Sequence, residues 1–563
     1  MAAQGQVDVL IVGAGVNGAG LFRDLCEQGL TCLIIDKADY GSGTSAAPSR
    51  LIHGGLKYLE TGEFGLVAQS VLERNLLLRN APHYVRPLRT VIPIFSWTKG
   101  WWAAVRTFFG SLSVPRSRGA LLIKLGLMIY DFYGSRHRSM PRHSFAGRRR
   151  SLAEIPELTP KIVATGTYYD AAISHPERLV LELILDGLSA SPGSAAANYA
   201  LVTNSVAGDV TVSFAHMGGK AAVRPKIVIN AAGPWIDQVN VSIGAPSTLI
   251  GGTKGSHVII RNDRLVRLLD GRMIYFEADD GRICLIYPYL GRVLIGSTDI
   301  EASNPDDVTC TQEEIDYLLA SVRALLPDVA LEASEIVYAY SGIRPLPNSQ
   351  AAAPGLISRD HSAPVIEATA DRPFPIISLV GGKWTTFRGF AADVADDVLA
   401  RLGRGRKIST QDLPIGGGRD FPSNAGRWIE GVAQATDLAP KRIAELFERF
   451  GTRARLAADH IAANLPDKPV PDLPDYSYGE IDYMLQNEHV ETLSDIIFRR
   501  TTLGLTGRLS ADSLRAIAAH LAKRLDWPAE RTAREIAAAE AKLKVGNNHV
   551  DRERTQGVIA LRA

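Results

Sequence analysis

The hydrophobic pattern begins with a short apolar run in "VDVLIV", Val7–Val12. Such a run is typical of a strand that is buried on both faces of a parallel sheet. A glycine-rich turn and a helical stretch follow, and a second run, "TCLIID", ends at Asp36. The pattern predicts a strand–turn–helix–strand unit, as found in α/β folds.

The glycine-rich turn has the spacing GxGxxG at Gly13, Gly15 and Gly18. The first glycine lets the chain turn, the second lets the backbone approach a pyrophosphate, and the third lets the helix pack on the strand. Asp36 stands where an acid binds ribose hydroxyls. The motif predicts dinucleotide binding. The alternatives are a turn without a ligand and a solvated acid at a strand end.

Two later segments combine a buried strand with small residues in the same way. They are "KIVINAAGPWID" (Lys226–Asp237) and "PIISLVGGKWTTFRGFAADVADDVLARL" (Pro375–Leu402). The second puts another helix N-terminus near the carboxyl edge of the sheet, where it can stabilise negative charge on a reduced flavin. Because the segments lie hundreds of residues apart, they favour a buried, permanently held FAD over NAD.

Strand-like runs alternate with one helical stretch between Gly251 and about Ser334. This pattern indicates an antiparallel sheet. Beyond a turn-rich linker, Gln411–Pro422, apolar residues recur at helical spacing.

The predicted fold class is therefore α/β, with a Rossmann-like FAD-binding domain, an inserted antiparallel-sheet substrate domain and an all-α C-terminal domain. The expected bounds are 1–250 and 335–408 for the FAD-binding domain, 251–334 for the substrate domain and 420–545 for the helical domain. A basic, aromatic insert at about 94–150 interrupts the first of these.

Composition and charge exclude several classes of protein. The 563 residues carry a net charge of only +2, so no global field favours nucleic acid and we expect none as a partner. The four cysteines have neither CxxC nor metal-ligand spacing, which predicts a reducing compartment and no metal site. The N-terminus does not resemble a signal peptide, and no uninterrupted apolar window reaches about 18 residues. We expect a cytoplasmic protein.

Seven stretches, in order, resemble the FAD-dependent glycerol-3-phosphate dehydrogenases of the respiratory, quinone-linked type. They are "GAGVNGAG", "SRLIHGGLKYLE", "INAAGPW", "KGSHVII", "LIGSTDI", "YSGIRPL" and "GGKWTTFR". The similarity runs from about residue 6 to about residue 540, and includes a C-terminal helical segment. It implies FAD, a phosphorylated polyol substrate and a membrane quinone, and leaves a homodimer open.

The resemblance places the stretch "LIHGG" against the isoalloxazine ring and the residues after it towards the substrate. Gly54 and Gly55 lack the side chains that would keep the backbone from a flat ring. Lys57 and Tyr58 offer a charge and a hydroxyl to a phosphorylated substrate. The alternatives are a core histidine at His53 and a surface lysine at Lys57.

The resemblance also supplies the catalytic candidates. Arg344, in "SGIRPL", is the preferred ligand for the phosphate or a substrate oxygen, on what we expect to be a fixed loop, and Arg359 is a second cation. His257 is the preferred general base or substrate-orienting group, because an unperturbed histidine titrates near neutral pH. Lys383 is expected to stabilise the reduced flavin. The alternatives are a salt-bridged Arg344 and a purely structural His257.

The cofactor contacts implied by the resemblance and the loop motif are Gly13, Gly15, Asn17, Gly18, Asp36, Thr44, Ser45, Ser49, Leu51, His53, Gly54, Gly55, Ala231, Gly233, Trp235, Gly342, Gly382, Lys383, Trp384 and Thr385.

Three departures from the family pattern bear on the substrate. Lys57 replaces the usual arginine, "AAISHPERL" (Ala171–Leu179) lacks the usual acidic pair, and Trp384 replaces a smaller aliphatic residue. We expect these positions to lie in or near the active-site face. Another polyol phosphate, such as erythritol phosphate, therefore stays open.

The insert Ile94–Arg150 carries many basic residues interleaved with tryptophan and phenylalanine. This composition suits an anionic membrane surface, because aromatic side chains settle at the headgroup level. We expect peripheral association with the inner face of the cytoplasmic membrane. The alternative is a helical subdomain with buried aromatics and solvated arginines.

Two further functions stay open from the sequence. One is an FAD oxidase that returns electrons to oxygen, and the other is a catalytically silent flavoprotein that acts as a partner or sensor. The cations at Lys57, Arg344 and Arg359 favour a phosphorylated substrate.

Overall fold

The computed structural model describes residues 5–56, 63–97, 119–133, 140–216, 218–302, 304–348 and 360–546. Its strands, in chain order, are β1 (Gln6–Val12), β2 (Cys32–Ile35), β3 (Leu51–Ile52), β4 (Val85–Ile94), β5 (Ser144–Gly147), β6 (Ala164–Ile173), β7 (Ala195–Ala197), β8 (Ala200–Val206), β9 (Asp209–Phe214), β10 (Lys220–Asn230), β11 (Ile250–Ile260), β12 (Arg272–Glu277), β13 (Ile283–Tyr289), β14 (Arg292–Gly296), β15 (Ile300–Glu301), β16 (Ile336–Pro347), β17 (His361–Ser362), β18 (Val365–Ile366), β19 (Ile376–Ser378), β20 (Val380–Gly381), β21 (Pro469–Val470) and β22 (Leu473–Ser477).

The α-helices, in the same order, are α1 (Val16–Glu27), α2 (Phe64–Asn80), α3 (Ala120–Tyr133), α4 (Arg148–Glu154), α5 (Pro176–Ala190), α6 (Ile236–Ser242), α7 (Asp263–Leu269), α8 (Gln312–Leu325), α9 (Phe387–Arg401), α10 (Ala425–Thr436), α11 (Pro440–Phe450), α12 (Ala454–Ala463), α13 (Tyr478–Asn487), α14 (Leu493–Asp495), α15 (Ala511–Arg524) and α16 (Ala529–Gly546).

The first sheet has the order β18-β19-β10-β1-β2-β7, with the hairpin β8–β9 attached through β10. The strands from β19 to β7 pair in parallel. The apolar residues of β1 and β2 are buried, as the hydrophobic runs predict. Helices α1, α5 and α9 contribute to the core on one face of the sheet. The predicted Rossmann-like α/β fold is confirmed.

The second sheet has the order β15-β11-β14-β13-β12-β4-β6-β3, with β16 beside β11 and β5 beside β6. It is antiparallel except where β12 pairs with β4. The sheet draws strands from residues 51–173 and 336–347, so it is wider than the single insertion predicted for 251–334. Strands β4 and β6 extend the sheet and contribute apolar residues to the cores packed against it.

Residues 425–546 form an α-rich C-terminal region with a core of its own. The predicted helical C-terminal domain is confirmed, and its proline-rich connection also contains the short two-stranded pair β21–β22. Pro469 can occupy this short edge because no ladder bond needs its missing N–H.

The basic insert is only partly described, since residues 98–118 and 134–139 lie outside the described ranges. Helix α3 packs its inner side on β6 and α2, burying Ile123, Leu127 and Tyr130. Within the described ranges, no helix has the length and apolar character that a bilayer crossing requires.

Candidate functional site

Three parallel strands of the first sheet end side by side at one edge. β1 ends before Gly13, β10 ends before Ala231, and β19 is followed by the short strand β20 and Gly382. Ligands of open α/β sheets bind outside the carboxyl ends of the strands. The three glycine-bearing segments that the sequence singled out therefore meet at the edge where a nucleotide binds.

The first glycine loop has no room for side chains. Gly13 has a φ of +105°, and a Cβ there would lie 2.5 Å from the carbonyl oxygen of Ala231. A Cβ on Gly18 would lie 2.0 Å from the carbonyl oxygen of Gly13. Gly15 precedes α1 as its N-cap and puts no side chain over the first helical turn. The loop thus leaves this helix end accessible to phosphate, as GxGxxG predicts.

Asp36 follows β2 and lies beside the loop. Its carboxylate accepts hydrogen bonds from the backbone N–H of Ala14 at 2.7 Å and of Ala38 at 2.9 Å. Burial raises the pKa of Asp36 to about 6. Hydroxyl donors from a ribose would favour the charged carboxylate and lower this pKa.

Asn17 and Ser45 complete the first half of the site. The Asn17 amide nitrogen donates to the carbonyl of Gly381 at 3.4 Å, and its buried Oδ1 has no hydrogen-bond partner in the described part of the chain. The Ser45 hydroxyl accepts from the N–H of Val16 at 2.9 Å. A glycine cradle, a buried acid and an unsatisfied amide oxygen are what an FAD pyrophosphate and ribose need, so these residues fit FAD.

The segment after β10 forms the second wall. Gly233 has a φ of +57°, and no described atom lies within 4 Å of where its Cβ would be. The Trp235 indole donates to Asp306 at 2.7 Å, and the Lys37 ammonium lies 4.1 Å from the centre of its ring. Ala231 is held by its N–H donating to Val12 at 2.8 Å.

The segment after β19 forms the third wall. Gly382 has a φ of +89°. The Trp384 indole donates to the carbonyl of Ser45 at 3.2 Å, and the Thr385 hydroxyl accepts from the N–H of His53 at 3.2 Å. The Lys383 ammonium is buried and lies 3.2 Å from the Ser70 hydroxyl of α2. Lys383 precedes a 3₁₀ turn, Trp384–Thr386, and α9 begins directly after this turn at Phe387.

The two sheets meet along the loop that follows Gly43. The Thr44 hydroxyl donates to the carbonyl of Ile343 at 2.6 Å. A Cβ on Gly342 would lie 2.6 Å from the Cβ of Ala47, so Gly342 is required by this packing. The loop predicted to bind FAD therefore lies on the second sheet next to β16.

The stretch "LIHGG" crosses from the second sheet to the third wall. Leu51 is buried in β3, which pairs with β6. Gly55 has a φ of +78°, which favours glycine. Gly54 is glycine for a reason that the sequence does not reveal, because its Cβ would lie 2.3 Å from the hydroxyl oxygen of Tyr130.

His257 lies on β11, with its ring stacked on Tyr340 at a centroid distance of 5.0 Å. Its Nε2 lies 2.8 Å from the Ser49 hydroxyl, and its Nδ1 has no hydrogen-bond partner in the described part of the chain. Burial, followed by the charges of Arg344 and Arg50, lowers the pKa of His257 to about 3. The expectation of a histidine titrating near neutral pH is wrong for this environment.

Arg344 lies within β16, not on a loop, which corrects the expectation from its glycine and proline neighbours. It pairs with Asp299 at 2.9 Å and donates to the carbonyl of Thr298 at 3.2 Å. A Cβ on Gly255 would lie 2.1 Å from its Nη2. The Arg344 side chain is 21% exposed, so it is not fully buried.

Arg344 and His257 lie on the same face of the second sheet. Arg344 pairs with Thr253, and His257 pairs with Tyr340 and Gly296. Positions 253, 255 and 257 alternate along the strand, so they share one face. Gly255 makes room for Arg344, and Gly296 makes room for the His257 ring. Neither Gly255 nor Gly296 was identified as functional from the sequence. Gly255 stands two residues before His257, and this spacing on a strand indicates that both residues share a face.

Lys57, Tyr58 and Arg359 lie outside the described residues, so their predicted contacts with the substrate stay predictions. The departure "SHPERL" lies within the described residues. His175 is buried beside Ser174, and Glu177 pairs with the buried Arg50 at 2.6 Å. Both side chains are therefore interior residues. Arg50, the partner of Glu177, also lowers the pKa of His257, so the expectation that this departure lies in or near the active-site face stays a prediction.

Comparison with known proteins agrees with this geometry. The family model for FAD dependent oxidoreductases matches residues 8–388, and the model for the C-terminal domain of alpha-glycerophosphate oxidase matches residues 408–532. Glycerol-3-phosphate dehydrogenase from Synechocystis sp. is 33% identical over 552 residues, which cover 94% of this chain and 95% of that protein.

Two further similarities bear on fold and substrate. D-erythritol 1-phosphate dehydrogenase from Brucella abortus is 29% identical over 518 residues, covering 89% of this chain and 95% of that protein. The solved structure of a glycerol-3-phosphate dehydrogenase from Bacillus halodurans complexed with FAD has a TM-score of 0.74 and 21% identity, covering 97% of this chain and 96% of that chain.

The fold and the glycine-lined edge define an FAD-dependent oxidoreductase, and FAD is its cofactor. The chain belongs to the FAD-dependent glycerol-3-phosphate dehydrogenase family.

Proposed function

We propose that this protein oxidises sn-glycerol 3-phosphate to dihydroxyacetone phosphate and passes the electrons to a membrane quinone. The proposal is supported above all by the sheet face that Arg344 and His257 share. Strand β16 of this sheet contacts Thr44 and Ala47, in the loop after Gly43 that is predicted to bind FAD. A cation beside an orienting group, next to the cofactor segments, is the arrangement that a phosphorylated alcohol needs.

Arg344 binds an oxygen of the phosphate or of the polyol. Its guanidinium offers several donors in one plane, and Asp299 and the carbonyl of Thr298 hold that plane in position. Lys57, Tyr58 and Arg359 are proposed as further contacts to the substrate.

His257 orients the substrate hydroxyl. At neutral pH its imidazole is uncharged, and when Nε2 carries the proton shared with Ser49, Nδ1 accepts a hydrogen bond. A pKa of about 3 lies far from the operating pH that suits a general base, so orientation is its main role.

The alcohol loses a hydride from carbon, passes the proton of its hydroxyl to solvent water, and so becomes a ketone. FAD, when bound, supplies the two-electron acceptor for that hydride. Lys383, buried at the turn after β19, places a positive charge next to the cofactor segments and stabilises negative charge there.

The same chemistry on D-erythritol 1-phosphate is the second candidate for the substrate. The similarity to the Brucella abortus enzyme and the replacement of arginine by Lys57 favour it. The "SHPERL" departure gives it no support, because His175 and Glu177 are interior residues.

Membrane association is proposed from the outer face of α3. Leu121, Leu125 and Met128 share this face at helical spacing, and they are 54%, 45% and 54% exposed. Lys124 and the first three residues of α4, Arg148–Arg150, are exposed as well. Apolar side chains with neighbouring cations suit an anionic lipid surface.

The decisive experiment is an anaerobic titration of the purified protein with each polyol phosphate. Loss of the flavin absorption band at about 450 nm on addition of sn-glycerol 3-phosphate supports this compound as the substrate. Bleaching only with D-erythritol 1-phosphate moves the substrate, and bleaching with neither contradicts both candidates.

A second step identifies the acceptor. Oxygen or a short-chain ubiquinone is added to the reduced protein, and the return of the flavin band is timed. Faster return with the quinone supports the proposed acceptor, whereas faster return with oxygen indicates an oxidase.

A further inference from the structure

We propose that Tyr130, Asp170 and Arg74 form a positioning cluster that fixes the backbone of Gly54 and thereby sets the His53–Gly55 segment against the flavin. The inference rests on the proposed function and on the predicted position of the "LIHGG" stretch at the flavin ring. None of the three side chains belongs to a motif that the sequence singled out.

The cluster begins where a strand ends. β3 pairs with β6 at Leu51 and Ile52, opposite Ala172 and Ala171. The next residue of β6 is Asp170, and its Oδ1 accepts from the N–H of Gly54 at 3.1 Å. The Asp170 side chain therefore binds the segment that follows β3, where the backbone hydrogen bonds between β3 and β6 end.

Tyr130 makes the same contact from another direction. Its hydroxyl oxygen accepts from the N–H of Gly54 at 3.0 Å, and the hydroxyl donates to Asp170 in a short hydrogen bond. The missing Cβ of Gly54 makes room for this hydroxyl. The glycine and the tyrosine are therefore parts of one arrangement.

Arg74 neutralises the cluster. Its Nη1 lies 3.0 Å from Asp170 and 2.7 Å from the Tyr130 hydroxyl. Arg74, Asp170 and Tyr130 are only 4%, 2% and 3% exposed. Burial of a carboxylate and a guanidinium is costly unless both are paired and hydrogen-bonded, as they are here.

Helix α2 extends the arrangement to the other flavin-side segment. Ser70 lies one turn before Arg74, and it accepts from the ammonium of Lys383 at 3.2 Å. The N–H of His53 donates to Thr385, close to Lys383 in the chain. One helix thus supports both segments predicted to face the flavin, so a change in the cluster should alter how FAD is held.

Tyr130→Phe tests the cluster, with Tyr483→Phe as the matched control. Both changes remove one buried hydroxyl, but Tyr483 lies in the C-terminal core. We expect the dissociation constant of FAD to rise about tenfold for Tyr130→Phe, as for one lost hydrogen bond in a charged network. The visible flavin spectrum should change, and Tyr483→Phe should match the wild type in both measurements.

Equal FAD affinity and equal spectra for the two variants would overturn the inference, even if Tyr130→Phe melts at a lower temperature. If Tyr130→Phe does not fold, the same two measurements are made on Arg74→Lys. This variant keeps the positive charge beside Asp170 but loses the planar guanidinium that contacts both Asp170 and Tyr130. Wild-type affinity and spectrum in Arg74→Lys would also overturn it. A wild-type protein that binds FAD but is bleached by no polyol phosphate would contradict the proposed function, while these measurements would still decide the inference.

Discussion

At the scale of single residues, burial sets the chemistry of the site more than residue type does. His257 has the side chain that suits proton transfer near neutral pH, but the residue is only 2% exposed and its ring lies near two guanidinium groups. The same loss of solvent acts on Asp36 in the opposite direction and raises its pKa to about 6. In both residues burial favours the uncharged form.

The lowered pKa of His257 predicts a pH dependence of stability. The unfolded chain binds a proton below about pH 6.5, whereas folded His257 stays neutral down to about pH 3, so stability falls as the pH falls through this window. When the pH is lowered from 8 to 5, the unfolding free energy of the wild type should therefore decrease by about 2 kcal/mol more than that of His257→Gln. Urea unfolding at each pH measures the difference, and parallel profiles would contradict it.

At the scale of elements, the pairing of β11 with β16 builds the face that we propose binds the substrate. Alternation along β11 brings Thr253, Gly255 and His257 to one side, and β16 places Arg344 opposite Thr253. Because Gly255 has no Cβ, the guanidinium can lie across the strand towards His257.

Gly255→Ala should displace Arg344 without breaking the ladder. The new Cβ would lie 2.1 Å from Nη2, so the guanidinium would leave its contacts with Asp299 and Thr298. We expect kcat/KM for the polyol phosphate to fall about ten- to hundredfold, as for a lost charged hydrogen bond. Gly147→Ala, at a strand position with open space, is the control and should keep the wild-type value.

Helix α3 illustrates how one element serves two surfaces. Its inner face packs Ile123, Leu127 and Tyr130 into the protein, and its outer face exposes Leu121, Leu125 and Met128.

Replacing Leu121, Leu125 and Met128 together by serine should weaken binding to anionic vesicles about tenfold or more, because apolar area no longer enters the headgroup region. Co-sedimentation with phosphatidylglycerol vesicles measures the change. Replacement of the exposed Leu456, on α12, by serine is the control. Unchanged binding of the triple variant would contradict the proposed role of α3.

At the scale of the whole molecule, buried ion pairs join the C-terminal region to the FAD-binding fold. Arg500 donates to Asp39, three residues after Asp36, at 2.7 Å. Arg178 of α5 pairs with Glu488 at 2.7 Å, with both side chains at most 3% exposed. The C-terminal region therefore braces the loop behind the nucleotide site.

Glu488→Gln should destabilise the folded protein by about 3–5 kcal/mol, because it leaves Arg178 buried without its carboxylate. Asp209→Asn, which breaks the exposed pair with Arg224, should cost at most about 1 kcal/mol. The shift of the urea midpoint compares the two variants. Similar midpoints for both would show that the buried pair adds no stability.

The features that could be predicted from the sequence are those formed by residues that are neighbours in the chain. The glycine loop, the apolar run of β1 and the acid after β2 are neighbours in the chain, so their spacing indicates their geometry. The helices beyond residue 425 could also be predicted, from the helical spacing of their apolar residues. The β21–β22 pair among them could not, because it depends on backbone pairing between two short segments.

The sequence by itself thus determined the dinucleotide fold, FAD as the cofactor and the resemblance that points to a polyol phosphate. Only the tertiary structure decided that Arg344 lies on a strand, that His257 has a pKa of about 3, and that Gly54 makes room for Tyr130. It also decided that Glu177 serves the interior through Arg50. The physical reason is that burial and pairing depend on groups that are distant in the chain, whereas turn and strand propensities depend on neighbours.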